Sequence, residues 1–123
     1  MAQEIQQTVG VSVLNGDLKL PRIGTTNRIN QTTKGGGVPG LVVAISTGQG
    51  TAVSTTGLST PGVTYIKNID PSITVNYGPL VSGTMHPFGQ LKPGEEATFR
   101  CPNAWNIKGV SGSPKCLVQI LDD

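Results

Sequence analysis

Between Thr60 and Arg100 the chain alternates strand-length runs with proline-glycine punctuation, and that rhythm constrains its fold more than any other feature. Thr60-Pro61-Gly62 opens the run Val63–Ile69, and Asp70-Pro71-Ser72 closes it. Ile73–Tyr77 follows and is expected to stop at Gly78-Pro79. Pro87–Leu91 then reaches Lys92-Pro93-Gly94-Glu95, after which Ala97–Cys101 continues. Short β-prone runs cut at such intervals describe an antiparallel β-sandwich or barrel. No catalytic grouping lies among them.

At 123 residues the chain has room for one domain, read as spanning 1–123, because two cores of half that size would be marginal. Large rings number only five, Trp105, Tyr65, Tyr77, Phe88 and Phe99, so Val, Ile and Leu must supply most of the core. A modest core beside long polar stretches suggests that contacts with other chains contribute stability. The net charge is +2, and the basic residues are spread out rather than clustered. Nucleic-acid binders concentrate such charge on one face, so direct nucleic-acid binding is not expected. The amino-terminal residues lack the pattern of a secretory signal. The longest apolar run, Leu41–Ile45, is far short of a membrane span, so no membrane partner is expected and synthesis in the cytoplasm is the default.

Ile5, Gln7, Val9, Val11 and Val13 alternate, predicting a strand over Glu4–Leu14 with one apolar face. Asn15-Gly16 supplies a type I′ hairpin signal, and the return strand carrying Leu18 and Leu20 should end at Pro21. Gly24–Gly40 is rich in Thr, Asn and Gly and has little to bury, so it reads as an extended or partner-contacting segment. Leu41–Ile45 has no alternation and predicts a strand buried on both sides. Thr51–Thr56 reads as an edge strand. Cys116–Leu121 is apolar at both parities, as a central strand would be. Eight or nine strands without helical periodicity make the chain all-β.

Candidate chemistry is thin. His86 lies before Pro87, and the nearest acids, Asp70 and Glu95, belong to turns. Gly109–Ser113 lacks the last glycine of a nucleophile elbow, and no Gly-Lys-Ser/Thr follows Gly35-Gly36-Gly37. The acidic pairs Glu95-Glu96 and Asp122-Asp123 read as solvated turn and tail residues. Cys101 and Cys116 with one histidine make a poor zinc set; they are two buried thiols or, as cross-strand neighbours, a disulfide. No cofactor or metal is implied. Trp105 either caps the core or, with Tyr65 and Tyr77, stacks on a sugar as in a carbohydrate-binding module.

Several pieces together resemble small virion proteins of tailed bacteriophages. They are Pro61-Gly62, then Ile66-x-Asn68-x-Asp70, Tyr77-Gly78, and Pro87-Phe88-Gly89-x-Leu91-x-Pro93-Gly94-Glu95 with Arg100 beyond. The amino-terminal strand–Asn-Gly–strand is also similar. The likeness covers roughly residues 4–20 and 60–100. It implies a β-sandwich or jelly-roll of about eight strands with an extended amino-terminal hairpin or arm. The implied role is capsid decoration or cement on a phage head, without enzymatic activity. The implied partners are the major capsid protein and copies of the same chain, as a dimer or trimer. Arg22, Arg28, Asn30 and Lys34 are the candidate capsid-contacting arm. Another virion role, as a head-fibre base, tail component or receptor-contacting module, shares the same features.

Overall fold

A computed structural model describes residues 5–8, 10–15, 18–24, 26–29, 40–100 and 104–122, and these contain strands and turns but no helix. The chain divides into two compact units, Met1–Thr33 and Lys34–Asp123. The sandwich belongs to the second alone, which narrows the expectation of one sandwich across 1–123.

The first unit is a long antiparallel ribbon. Strand β1 (Ile5–Thr8) pairs with β4 (Thr26–Ile29), and β2 (Val11–Asn15) pairs with β3 (Leu18–Ile23). The register runs from Ile5↔Ile29 to Thr8↔Thr26 and resumes in step at Val11↔Ile23. Thr8 and Thr26, directly opposite, join their hydroxyls at 2.9 Å. Three expectations are corrected here. The return strand does not end at Pro21, because a register shift between Val11 and Val13 places Pro21 and Arg22 opposite Ser12. A bulge tolerates proline, which has no N–H to give the ladder. The closing pair is Asn15↔Leu18, so the two-residue connection is Gly16-Asp17 rather than Asn15-Gly16, and it lies outside the described residues. Part of Gly24–Gly40 is strand, since Thr26–Ile29 has β1 to pair with.

In the second unit the strands are β5 (Gly40–Val43), β6 (Thr51–Ala52), β7 (Pro61–Asn68), β8 (Val75–Val81), β9 (Thr84–Met85), β10 (Gly89–Leu91), β11 (Glu96–Arg100), β12 (Trp105–Gly109) and β13 (Lys115–Asp122). One sheet runs β10-β8-β12-β6 with β9 also on β8; the other runs β11-β7-β13-β5. Every pairing is antiparallel. The nested partners β5–β13, β6–β12, β7–β11 and β8–β10 form one folded ribbon. Two further pairings, β7–β13 and β8–β12, roll that ribbon into two facing sheets. This is jelly-roll topology.

Period-two alternation sends Val75, Tyr77, Leu91, Trp105 and Ile107 inward from one sheet. Val42, Ile66, Cys116, Val118 and Ile120 meet them from the other. Trp105 is 1% exposed and packs edge-on against Phe99 at 5.1 Å, so its place is the core. Two strands depart from their expected burial. β5 buries Val42 and leaves Leu41 and Val43 outside, and β13, though central, buries Cys116, Val118 and Ile120 while Leu117 faces out. β8 does not stop at Gly78-Pro79 but continues to Val81, with Pro79 opposite Trp105 and its carbonyl accepting from His86 N at 2.9 Å. β12 falls where no strand was expected.

The turns follow their chemistry. Gly94 has φ +84° and Glu95 N donates to Lys92 O at 3.0 Å, the type II turn that Pro93-Gly94 predicts. Asp70 Oδ1 accepts from Ser72 N at 2.9 Å and Ile73 N at 2.7 Å, an Asx turn. Buried Asn68 binds these corners together. Its Nδ2 donates to Ile73 O (2.8 Å) and Leu91 O (3.0 Å), and its Oδ1 accepts from Asp70 N (3.0 Å). Its backbone exchanges bonds with Gly94 and Glu95. Asp122 is not a solvated tail residue: at 3% exposure it accepts from Ser59 N (3.2 Å) and Thr60 N (2.7 Å).

Candidate binding surfaces

Two surface regions of the jelly roll stand out, and both follow from strand geometry. The first is the outer face of the sheet formed by β5 and β13. Alternation that buries Val42 and Cys116 turns their neighbours outward. Leu117 pairs directly with Leu41, and Val43 is the next outward residue on β5. Leu41 is 62% exposed and Leu117 39%. Isolated apolar side chains on a surface are ordinary, and adjacent ones such as Leu41 and Leu117 make this face a candidate for contact with a partner. The apolar group sits on an edge strand, because β5 pairs only with β13 among the described residues. Thr51 from the opposite sheet closes one end of that edge. Its hydroxyl donates to Val43 O at 2.6 Å and accepts from Ile45 N at 3.2 Å.

The second lies where β9 and β10 run along β8. Met85 pairs with Leu80 and Gly89 with Tyr77, so residues 85–89 span one position more than 77–80 opposite them. That extra residue is a bulge, and a bulge redirects side chains. Phe88 N still donates to Tyr77 O at 3.0 Å, while the Phe88 ring is 56% exposed. Two glycines let the segment lie this close. A Cβ on Gly78 would stand 2.1 Å from His86 O, and one on Gly89 would stand 2.2 Å from Tyr77 Cζ. The Phe88 ring is backed edge-on by Tyr77 at 5.0 Å and by Phe99 at 5.5 Å. Beside it, Gln90 and Asn76 are cross-strand partners, and Gln90 Nε2 donates to Asn76 Oδ1 at 3.0 Å. Asn76, Pro87, Phe88, Gly89 and Gln90 line a shallow open depression of about 350 Å³.

The residues singled out from sequence are distributed differently. Arg22 lies in β3 and Arg28 in β4, opposite Gln6, both on the amino-terminal ribbon. Asn30 and Lys34 lie outside the described residues, and so does Cys101. Cys116 is a buried free thiol whose pKa burial pushes up to about 11, with the charge of Asp70 adding to the shift. His86 is exposed on the bulge segment. Among the described residues no three of His, Cys, Asp and Glu gather as a metal site would require, and no helix is long and apolar enough to cross a membrane. Tyr65, offered with Trp105 as a stacking residue, instead donates its hydroxyl to Glu96 Oε2 at 2.6 Å. That bond, then burial and the Glu96 charge, raise its pKa. Phe88 was missed as an exposed aromatic. Its signal was a large ring held between proline and glycine, outside any alternating run.

No known protein family matches the chain, and neither a curated protein nor a solved structure is similar to it.

Proposed function

We propose that this chain is a structural virion protein without catalytic activity, a decoration or cement subunit binding the outside of a tailed-phage head. The observation that carries the reading is the apolar group Leu41, Val43 and Leu117 on the outer face of a jelly roll. Viral coat subunits are among the proteins that use this architecture, although a fold alone does not decide a function. The sequence likeness to small phage virion proteins supplies the partner, the major capsid protein together with copies of this chain. The physical role is added interface across capsomer junctions strained by packaged DNA. A specific interface buries about 1,200–2,000 Å² in total, and many copies engaged at once turn modest contacts into firm attachment. Arg22, Arg28, Asn30 and Lys34 are proposed as further contacts from the amino-terminal part.

The test is co-sedimentation of full-length protein with capsids purified without it, followed by cryo-electron microscopy of the decorated shell. Leu41→Ser with Leu117→Ser, at exposed positions, should leave folding intact and abolish shell occupancy. Replacing Arg22, Arg28, Asn30 and Lys34 with alanine should lower occupancy. Density on the tail rather than the shell, or full occupancy by both variants, would refute the reading.

A further inference from the structure

Sheet edges invite further pairing, and proteins blunt them with short strands, charges or bulges. Three edge strands of the jelly roll carry such devices. β6 has two residues, β10 has three and adjoins the bulge, and β11 begins with Glu96 and ends with Arg100. β5 is the exception: Gly40-Leu41-Val42-Val43 has no charge and no proline, and its register with β13 is unbroken. In an antiparallel pair, successive residues turn their N–H and C=O alternately towards the partner and away from it. Ala44 N donates to Pro114 O, so Ala44 and Val42 face β13 while Leu41 and Val43 face outward. Val43 O agrees, since it accepts from the Thr51 hydroxyl of the other sheet, which also takes Ile45 N. Thr51 therefore closes the edge at one end, and Gly40, with φ +74°, turns the chain at the other. Between these stops Leu41 N, Leu41 O and Val43 N have no hydrogen-bond partner among the described residues.

We infer that this edge pairs with the same edge of a second copy, antiparallel about a two-fold axis at Leu41, joining two four-stranded sheets into one. A contact between like surfaces must be complementary to itself. Leu41 is: it turns one positive N–H and one negative C=O outward, and opposite its own counterpart each N–H meets the other's C=O. No charged side chain on β5 opposes the approach. Two places away in this register stands Gly40 opposite Val42 of the second copy, and a Cβ at Gly40 would meet nothing within 4 Å, so the space there is open. On the outer face, Leu41 already lies opposite Leu117, and pairing sets it beside Leu41 of the second copy as well. The apolar pair becomes a row across both molecules. The contact involves few residues, so it falls well short of the roughly 1,200–2,000 Å² of a stable interface. Free copies therefore associate weakly, and copies held side by side at high effective concentration pair readily. The inference rests on the part of the proposed function that makes copies of this chain partners of one another, and it gives that contact a place and a register.

The test uses the full chain without capsids. Sedimentation equilibrium from about 20 μM to about 1 mM should show reversible dimers, because a weak contact is expected. Leu41→Lys, at an exposed position, should abolish them, since like charges directly opposite each other repel. An equal mixture of Leu41→Lys and Leu41→Glu should restore them. Disulfide trapping reads the register independently, in chains that also carry Cys101→Ser. Opposed residues have Cα atoms about 5.5 Å apart, within reach of a disulfide, so Leu41→Cys should oxidise to a covalent dimer. Leu117 and its counterpart would stand three strand spacings apart, about 14 Å, so Leu117→Cys should form that dimer at least about tenfold more slowly. A parent that stays monomeric at the highest concentration, with no disulfide from Leu41→Cys, would overturn the inference and leave a foreign strand as the remaining occupant of the edge. Equal trapping at Leu41 and Leu117, or a mixture of Lys and Glu variants that does not associate, would overturn it too. Dimers formed by a chain that never occupies capsids would refute the decoration reading and leave the pairing in place.

Discussion

Asn68 is where the stability of the jelly roll can be tested most sharply. Its amide makes three side-chain hydrogen bonds, to Ile73 O, Leu91 O and Asp70 N, and so holds the β7–β8 corner against the end of β10. Asn68→Ala leaves two carbonyls and one N–H without that partner. An unsatisfied buried group costs about 1–3 kcal/mol, and groups that water can reach fall at the low end. The Leu91 bond is fully buried and the other two are partly so, which gives roughly 3–4 kcal/mol in all. That is a large share of the ~5–15 kcal/mol typical of a domain. Asn106→Ala is the matched control. It is also a buried amide, but its Nδ2 donates to Gln49 O at 2.9 Å and its Oδ1 has no partner among the described residues. Its loss should cost about 1 kcal/mol. Urea unfolding followed by the fluorescence of buried Trp105 gives both values from midpoint and slope. Asn68→Asp adds a check that keeps the shape. Its carboxylate would face two carbonyl oxygens, so its folded pKa is raised and its stability is present at low pH and lost as pH rises. Equal costs for Asn68→Ala and Asn106→Ala, or a pH-independent Asn68→Asp, would refute the network argument.

Two further outcomes follow from titratable groups. The Asp70 carboxyl is held below the usual carboxylate range by the N–H groups of Ser72 and Ile73, so its contribution is present above the unfolded pKa and disappears as pH falls through the folded one. Asp70→Asn keeps an acceptor for the turn but cannot titrate, so urea midpoints measured from about pH 5 downward should fall less steeply than in the parent. Cys116, with its thiol pushed up to about 11, should resist alkylation at pH 8 in the folded state and react promptly in urea. Its neutral form is the one the fold prefers, so stability should drop as pH rises from about 9 towards 11, and Cys116→Ala should remove that drop.

The parts legible in the sequence were those set by local chemistry. Pro93-Gly94 and Asp70-Pro71 each specify a turn through their own φ preference or side-chain acceptor, and the hairpin follows from alternation around a short polar connection. What was missed depends on distant partners. Trp105–Gly109 is a short alternating run whose identity as a central strand comes from β8 and β6, far away in sequence. Gly78-Pro79 reads as a stop, yet the strand continues because the bulged segment 86–88 needs a residue without a Cβ beside it. Leu41–Ile45 and Cys116–Leu121 are apolar at both parities, so pattern alone predicted two-sided burial. The outward Leu41, Val43 and Leu117 come to light only when no layer covers that face among the described residues. Phe88 escaped for a similar reason: its exposure is set by a register difference between two strands.

The nested ribbon also dictates an order of assembly. β8 and β10 meet across the shortest stretch of chain, β7 and β11 across a longer one, then β6 and β12, and finally β5 reaches β13 with Gly40 opposite Val118. Closure entropy grows with that separation, so zipping from the innermost pair outward is the least costly route, and such non-local topologies fold slowly. β5 is then the last strand to join. Since it carries Leu41 and Val43, an incompletely folded molecule cannot present the apolar face that is proposed above for capsid binding.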